Sequence, residues 1–309
     1  MKLFVEIPTW LGDAVMCTPA IDNLIKKYPK AKIVLFGSYV STQALGQNKN
    51  ISKIIIDNSK QGGNRYLNLI KLTREVGFVD LAISFRKSFS SKFMMFFIHA
   101  TKKYSYEKFS KEEIHQVQRY NDFVNTRLNS NLIAGDLNLN FKAFKFDNPT
   151  VGINPGATYG SAKRWYASEF AKVAISLSSK YDIVIFGGPG ETNIAKDIED
   201  ELKIANITNY QNLAGKTTIT QLIEKIAGLD LFITNDSGPM HVAAAFKIKT
   251  IAIFGPTKFN ETNQWNNPNE QIITKNLECA PCMKRTCPLK HHNCMKQIVA
   301  NDVLKVIYA

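Results

Sequence analysis

The chain has 309 residues, long enough for two domains that each bury a core. Hydrophobic residues make up 45% and charged residues 21%, which excludes a disordered chain. Lys and Arg number 39 against 26 Asp and Glu, a formal charge of +13 that points to an anionic partner: nucleic acid, a phosphorylated metabolite or an acidic membrane surface.

The start, MKLFVEIPTW, lacks a signal-peptide layout and reads as a strand over residues 2–7, so a cytoplasmic protein is expected. Residues 14–28 place Val15, Ala20, Ile21, Leu24 and Ile25 on one face of a helix. Strands follow at 32–36 and 54–57, a helix at 66–76 and a strand at 80–85. The longest strongly apolar run, FMMFFI at 93–98, is too short to span a membrane and reads as a core helix rather than a membrane-touching patch. Residues 129–149 are Asn-rich and break the rhythm, which sets the expected domains at 1–148 and 149–309. The alternation then restarts. Strands are expected at 151–154, 182–186, 231–234 and 250–254. Helices are expected at 167–179, 193–202, 239–246 and from the capping box Thr218-Ile-Thr-Gln221 to Gly228. The tail after Phe259 is irregular and turns helical near Asn301, where a last helix could pack back on the first domain. This βαβ rhythm predicts an α/β fold of two doubly wound, Rossmann-like domains. Ligands of such folds bind beyond the carboxyl ends of the strands.

Four segments occupy such positions. Pro8-Thr-Trp-Leu-Gly-Asp13 follows the first strand, and Asp13 is there either a helix N-cap or a base. The loop lacks G-x-G-x-x-G, which argues against a nicotinamide enzyme. Asn154-Pro-Gly-Ala-Thr158-Tyr-Gly-Ser-Ala-Lys163-Arg164-Trp165 joins small residues to two cations before a helix, a combination suited to a phosphate or diphosphate; it is not a Walker A loop. Phe186-Gly-Gly-Pro-Gly-Glu191 allows close ligand approach, and Glu191 could accept hydrogen bonds from ribose hydroxyls. Asn235-Asp236-Ser237-Gly238-Pro239-Met240-His241 opens a helix whose N–H groups can face an anion. A Ser-His-Asp triad is the alternative there, but no nucleophile elbow is present.

Together these segments resemble glycosyltransferase family 9, the bacterial ADP-heptose:lipopolysaccharide heptosyltransferases. The resemblance rests on LGDAVMCTPAIDNLIKKYPKAKI, PGATYGSAKRW, NLAGKTTITQLIEKIAGLDLFITNDSGPMHVAAAF and FGPT, and covers nearly the whole chain. The stretch CAPCMKRTCPLKHHNC, together with PGA…KRW, is most similar to the branch that adds the second inner-core heptose. The resemblance implies a GT-B fold with two Rossmann-like domains facing across a cleft, and inversion at the anomeric carbon. It implies ADP-heptose as donor and a phosphorylated, Kdo-bearing, heptosylated lipid as acceptor, with the enzyme peripheral on the inner membrane. By position, Asp13 matches the family's catalytic base and Lys163 its donor-diphosphate lysine. Asp236, Ser237, Gly238 and His241 match its nucleotide-diphosphate loop. Thr158 belongs to the donor side, and Glu191 and Leu213 reach the ribose and adenine.

Inverting transfer needs a base for the acceptor hydroxyl and stabilisation of the departing diphosphate. No D-x-D motif offers ligands for a bridging metal, so Lys163 and the helix start at Ser237 and Gly238 are expected to serve instead, with no cofactor and no metal. The expected acceptor residues are Arg65, Arg86 and Lys87, followed by further lysines on a basic face. Cys279, Cys282, Cys287 and Cys294 enclose His291 and His292; the spacing alone allows a structural zinc knot, a redox pair, reduced thiols or a local disulfide. Three rival readings remain: the branch adding the first heptose, another GT-B enzyme with a different nucleotide sugar, and a nucleic-acid binder. The last has no RRM, KH or helix-turn-helix signature.

Overall fold

The computed structural model describes residues 1–309. The chain divides into two compact units, Met1–Asn140 and Phe141–Ala309.

In the first unit the order is β1 (Lys2–Glu6), α1 (Leu11–Met16), α2 (Thr18–Lys27), β2 (Lys32–Gly37), α3 (Tyr39–Leu45), β3 (Ile51–Ile56), α4 (Arg65–Val76), β4 (Val79–Ser84), α5 (Phe89–Phe97), β5 (Ala100–Ser105) and α6 (Gln116–Leu128). All five strands are parallel, ordered β3-β2-β1-β4-β5. The strand order reverses between β1 and β4, so the loops after those two strands border the crevice where such sheets bind ligands.

The second unit contains β6 (Thr150–Asn154), α7 (Ala167–Leu177), β7 (Asp182–Ile185), α8 (Thr192–Ile204), β8 (Tyr210–Asn212), α9 (Ile219–Ala227), β9 (Leu231–Asn235), α10 (Gly238–Ala245), β10 (Thr250–Ile253), α11 (Phe259–Thr262), β11 (Glu270–Ile273), α12 (Asn293–Lys296) and α13 (Ala300–Tyr308). Its six parallel strands run β11-β10-β9-β6-β7-β8, and the reversal lies between β6 and β9. The strands are buried apolar runs, and Trp165, Phe170 and Ile298 close one face of the core.

Several expectations change. The single helix over 14–28 breaks at Cys17, because Pro19 has no N–H for the Val15 carbonyl; the Thr18 hydroxyl donates to that carbonyl instead, at 2.7 Å. The run 93–98 divides: Met94, Met95 and Ile98 enter the core, while Phe96 stands 77% exposed. The tail gains strand β11, and α13 packs on α7 and β11 of its own unit, with Val303 in that unit's core.

The boundary falls at 140/141 rather than 148/149, because the Asn-rich segment is pinned in two directions. Asn121 and Asn125 both donate to the Leu132 carbonyl, at 2.7 and 2.8 Å, and the Asn138 N–H donates to Thr18 Oγ1 at 3.0 Å. Further along, the Phe144 N–H donates to the Glu224 carbonyl at 2.8 Å, and Lys225 Nζ lies 3.8 Å from the Phe144 ring centroid. Side-chain amides thus satisfy a backbone that has no ladder to join.

Candidate active site

In the second unit, two asparagines stitch together the loops at the reversal point. Asn154 Nδ2, at the end of β6, lies 3.2 Å from both Thr234 Oγ1 and Ser237 Oγ. Asn235, at the end of β9, donates to the Pro155 carbonyl at 2.7 Å and accepts from the Trp165 N–H at 3.0 Å. Both asparagines are buried. Each loop therefore has its position set by the other.

These stitches bring Lys163 and Asp236 together. Lys163 Nζ lies 2.5 Å from Asp236 Oδ2, with both side chains largely shielded from solvent. Thr257, after β10, donates its hydroxyl to the same oxygen at 2.6 Å. The Tyr159 ring centroid is 4.8 Å from Lys163 Nζ. Lys163 ends a short 3₁₀ turn, Ser161–Lys163. Beside it, Ser237 caps α10 without a side-chain hydrogen bond to the helix; Pro239 has no N–H and the Met240 N–H donates to the Ser237 carbonyl at 3.1 Å, so the amides of Ser237 and Gly238 are the ones the helix start can offer a ligand. Ser237 and Gly238 are half-buried, and His241 is buried on that helix's first turn. Thr158 is exposed on the loop.

Glu191 also joins the site. Its carboxylate accepts from the Gly188 N–H at 2.8 Å, and a Cβ on Gly156 would lie 2.0 Å from it. A side chain at 156 would therefore displace the Glu191 carboxylate from this place. Leu213 is buried just past β8, and the Gly215 N–H donates to the Gly187 carbonyl at 2.9 Å, so the Leu213 loop and Glu191 flank the same glycine turn.

The cysteine-rich segment lies against this loop. The Ala162 N–H donates to the Arg285 carbonyl at 3.0 Å, and a Cβ on Gly160 would meet that carbonyl oxygen at 2.3 Å. His292 Nε2 is 2.9 Å from the Ala162 carbonyl. Cys279, Cys282, Cys287 and Cys294 are free thiols lining one pocket with His291 and His292, though no group of three such side chains is placed to hold a metal ion. Burial, then repulsion from the other three sulfurs, pushes up the Cys294 thiol.

In the first unit, Asp13 occupies the third position of α1 and is half-buried; Trp10 is the N-cap, so the N-cap alternative for Asp13 fails. Burial chiefly, and secondarily the Asp13 charge, raise the Tyr120 and Tyr106 hydroxyls, which places both phenols in the field of that carboxylate. At the ends of β1 and β4, Arg86 Nη1 pairs with buried Glu6 at 3.1 Å and lies 3.9 Å from Asp57. Ser84 and Ser91 hydroxyls donate to Glu6 at 2.5 and 2.8 Å. Desolvation nonetheless raises the Glu6 carboxyl above its ordinary value. Arg65 Nη2 donates to Ser90 Oγ at 3.0 Å, and Glu6 links Arg86 to Ser91 on the same opening turn of α5. Lys87 is exposed beside them.

The sequence reading missed Thr257, Tyr159, Asn154, Asn235 and Glu6. Thr257 had a signal, the Gly-Pro-Thr after a strand; Glu6 had none, being one polar residue in an apolar run.

The model of glycosyltransferase family 9 (heptosyltransferase) matches residues 129–293. Lipooligosaccharide heptosyltransferase 2 of Campylobacter jejuni subsp. jejuni serotype O:2 is 45% identical over 99% of this chain and 97% of its own length. The chain belongs to glycosyltransferase family 9. The serotype O:6 relative of the same name is also 45% identical, over 99% of this chain and 98% of its own. The structure of E. coli ADP-heptose LPS heptosyltransferase II superposes with a TM-score of 0.83, covering 100% of this chain and 98% of that one at 23% identity. The expected α/β GT-B class therefore holds, and as a family 9 member the chain is a glycosyltransferase.

Proposed function

We propose that this family 9 enzyme transfers L-glycero-D-manno-heptose from ADP-heptose to a heptosylated, phosphorylated Kdo-lipid acceptor, adding the second heptose of the lipooligosaccharide inner core. The observation that carries the reading is 45% identity to lipooligosaccharide heptosyltransferase 2, spanning both units. In this reading the acceptor oxygen forms the new bond at the anomeric carbon as the bond to the β-phosphate breaks on the opposite face. The hydroxyl proton passes to Asp13, and ADP leaves with the bonding pair. Lys163 and the amides at the start of α10 balance the charge that grows on the diphosphate, a role in which loss of one donor typically costs roughly 10²–10³ in rate. Ser237, Gly238, His241 and Thr158 line the diphosphate and sugar, Asp236 holds Lys163, and Glu191 and Leu213 reach the nucleoside. Arg65, Arg86 and Lys87 receive the anionic acceptor.

No helix is long and apolar enough to cross a membrane. Action at the cytoplasmic face, with peripheral attachment, belongs to the same proposal because the acceptor is lipid-anchored; nucleic acid has no part in it. A donor panel of ADP-heptose, ADP-mannose, UDP-glucose and GDP-mannose, each with heptosylated and unheptosylated Kdo-lipid acceptors, tests it. Transfer from ADP-heptose to the heptosylated acceptor is expected. Preference for another donor refutes the sugar assignment, and preference for the unheptosylated acceptor moves the enzyme to the first-heptose step.

A further inference from the structure

Helix α5 is apolar on two faces. Met94, Met95 and Ile98 enter the core of the first unit. The opposite face carries Phe89, Lys92, Phe93, Phe96 and Phe97, spaced at three and four residues. Phe89 is 72% and Phe96 77% exposed. The neighbouring α4 extends this face: the Tyr66 ring packs edge-on against Phe89 and Phe93, with centroids 6.0 and 4.9 Å apart, and Leu67 beside it is 59% exposed. Phe93 and Phe97 continue the row at 5.0 Å. Phe93 also packs against the core, so the row is anchored from beneath while Phe89 and Phe96 stand out from it.

Charge indicates the occupant. On α4, α5 and the adjoining β5, Lys71, Arg74, Lys92, Lys102 and Lys103 are exposed, against the single exposed carboxylate of Glu75. Lys92 rises from the middle of the aromatic face, and Lys103 Nζ donates to the Phe96 carbonyl at 3.0 Å, which fixes a cation at the patch's edge. On α4, Lys71 and Arg74 follow Leu67 along the same exposed side. A protein partner's apolar groove would not require so many cations. A surface that is apolar just below an anionic layer would: aromatic rings settle at the headgroup level while lysines reach the phosphates. Each basic residue near an anionic leaflet contributes roughly fivefold in partitioning.

We infer that the outer face of α5, with the start of α4, is the surface by which this enzyme docks on an anionic phospholipid bilayer. The inference rests on the proposed lipid-linked acceptor for its purpose, but on the aromatic and basic side chains for its chemistry.

The test is co-sedimentation of the full chain with phosphatidylcholine vesicles, with and without phosphatidylglycerol, none containing the glycosyl acceptor. Binding is expected only with phosphatidylglycerol and should weaken with salt. Phe89→Ser/Phe96→Ser is expected to lower partitioning by about tenfold or more while the melting temperature holds, since both rings are exposed. Lys92→Glu/Lys103→Glu should abolish the preference for phosphatidylglycerol. Heptosyl transfer to a deacylated, soluble acceptor is measured in parallel. If the serine variant keeps that transfer but loses vesicle binding, docking is separate from catalysis, as inferred. Failure of the wild type to bind anionic vesicles, or equal binding by both variants, overturns the docking surface and leaves the transferase reading standing. Sedimentation velocity gives one more refuting outcome: a wild-type dimer that the serine variant dissociates would assign the face to a second copy.

Discussion

Replacing Lys163 by Ala probes stability and ligand binding together, and the structure separates them. The variant leaves Asp236 buried, with the Thr257 hydroxyl still donating to it but no opposing charge. Stranding one member of a buried pair costs about 3–5 kcal/mol, and the partial exposure of Lys163 favours the lower end. For a unit of this size, about 3 kcal/mol lowers the melting temperature by roughly 6–12 °C. Asp236→Asn in the same chain removes the stranded charge while keeping an acceptor for Thr257. The double variant Lys163→Ala/Asp236→Asn is therefore expected to regain most of the lost melting temperature. ADP affinity should not recover, because it depends on the ammonium itself. Loss of a charge-assisted contact worth about 1.5–3 kcal/mol corresponds to roughly 10- to 100-fold weaker ADP binding in both variants. Scanning fluorimetry and calorimetry with ADP, using adenosine as the control, read the two effects. If Lys163→Ala binds ADP as tightly as the wild type, or if Asp236→Asn restores the affinity lost in Lys163→Ala, the lysine is a structural cation and not part of a diphosphate site.

Asp13→Ala is expected to lower turnover by roughly 10²–10⁴ with ADP affinity within a few-fold of wild type, measured by transfer assay and calorimetry; near-normal turnover would remove Asp13 as the base. Glu6 gives a signed pH effect. Its carboxyl is raised in the folded state, so the folded protein holds this proton more tightly than the unfolded chain, and its contribution to stability declines as pH rises through the folded value. Glu6→Gln should therefore gain in relative melting temperature as pH rises from the ordinary glutamate range toward neutrality; a gain on acidification instead would contradict the burial argument. Transfer is expected to survive EDTA, because Lys163 and the start of α10 supply the charge that a D-x-D-bound metal would. Melting is followed alongside to separate unfolding from loss of chemistry; loss of transfer at an unchanged melting temperature, restored by Mg²⁺ or Mn²⁺, would refute the expectation.

Most strands that border the two crevices were legible because they are short apolar runs that end at or near a proline or asparagine, as at Pro8 after β1, Asn154-Pro155 at the end of β6 and Asn235 at the end of β9. Strand β5 was not: ATKKYS lies at a sheet edge with three exposed residues in its middle, so it carries no apolar run. The helix break at Cys17 was readable from Pro19, whose missing N–H outweighs the apolar spacing around it. In the site, Lys163 and Asp236 were each recognisable by local context. Their ion pair was not, because it depends on β6 lying next to β9 and on two asparagines that look like ordinary loop residues. Glu6 was hidden for a related reason: its three hydrogen-bonding partners, Ser84, Arg86 and Ser91, come from another strand, the loop after it and the next helix.

A carboxylate beside a proposed diphosphate site calls for a physical account. Lys163 is largely shielded, and a charge withdrawn from water needs an opposing charge to hold it there. Asp236 supplies it, and Thr257 fixes which oxygen does so. Their charges thus oppose each other at rest, and in the proposed reading the arriving diphosphate competes with Asp236 for the same ammonium. Two features keep that competition favourable. Asp236 remains hydrogen-bonded to Thr257 when the lysine turns toward the ligand, so its charge is not stranded. The uncapped amides of Ser237 and Gly238 lie one and two residues beyond Asp236, so they act on the diphosphate from the same short segment. On this account Asp236 is a positioning residue. Asp236→Asn should raise KM for the donor more than it lowers kcat, because the lysine survives but its resting position does not.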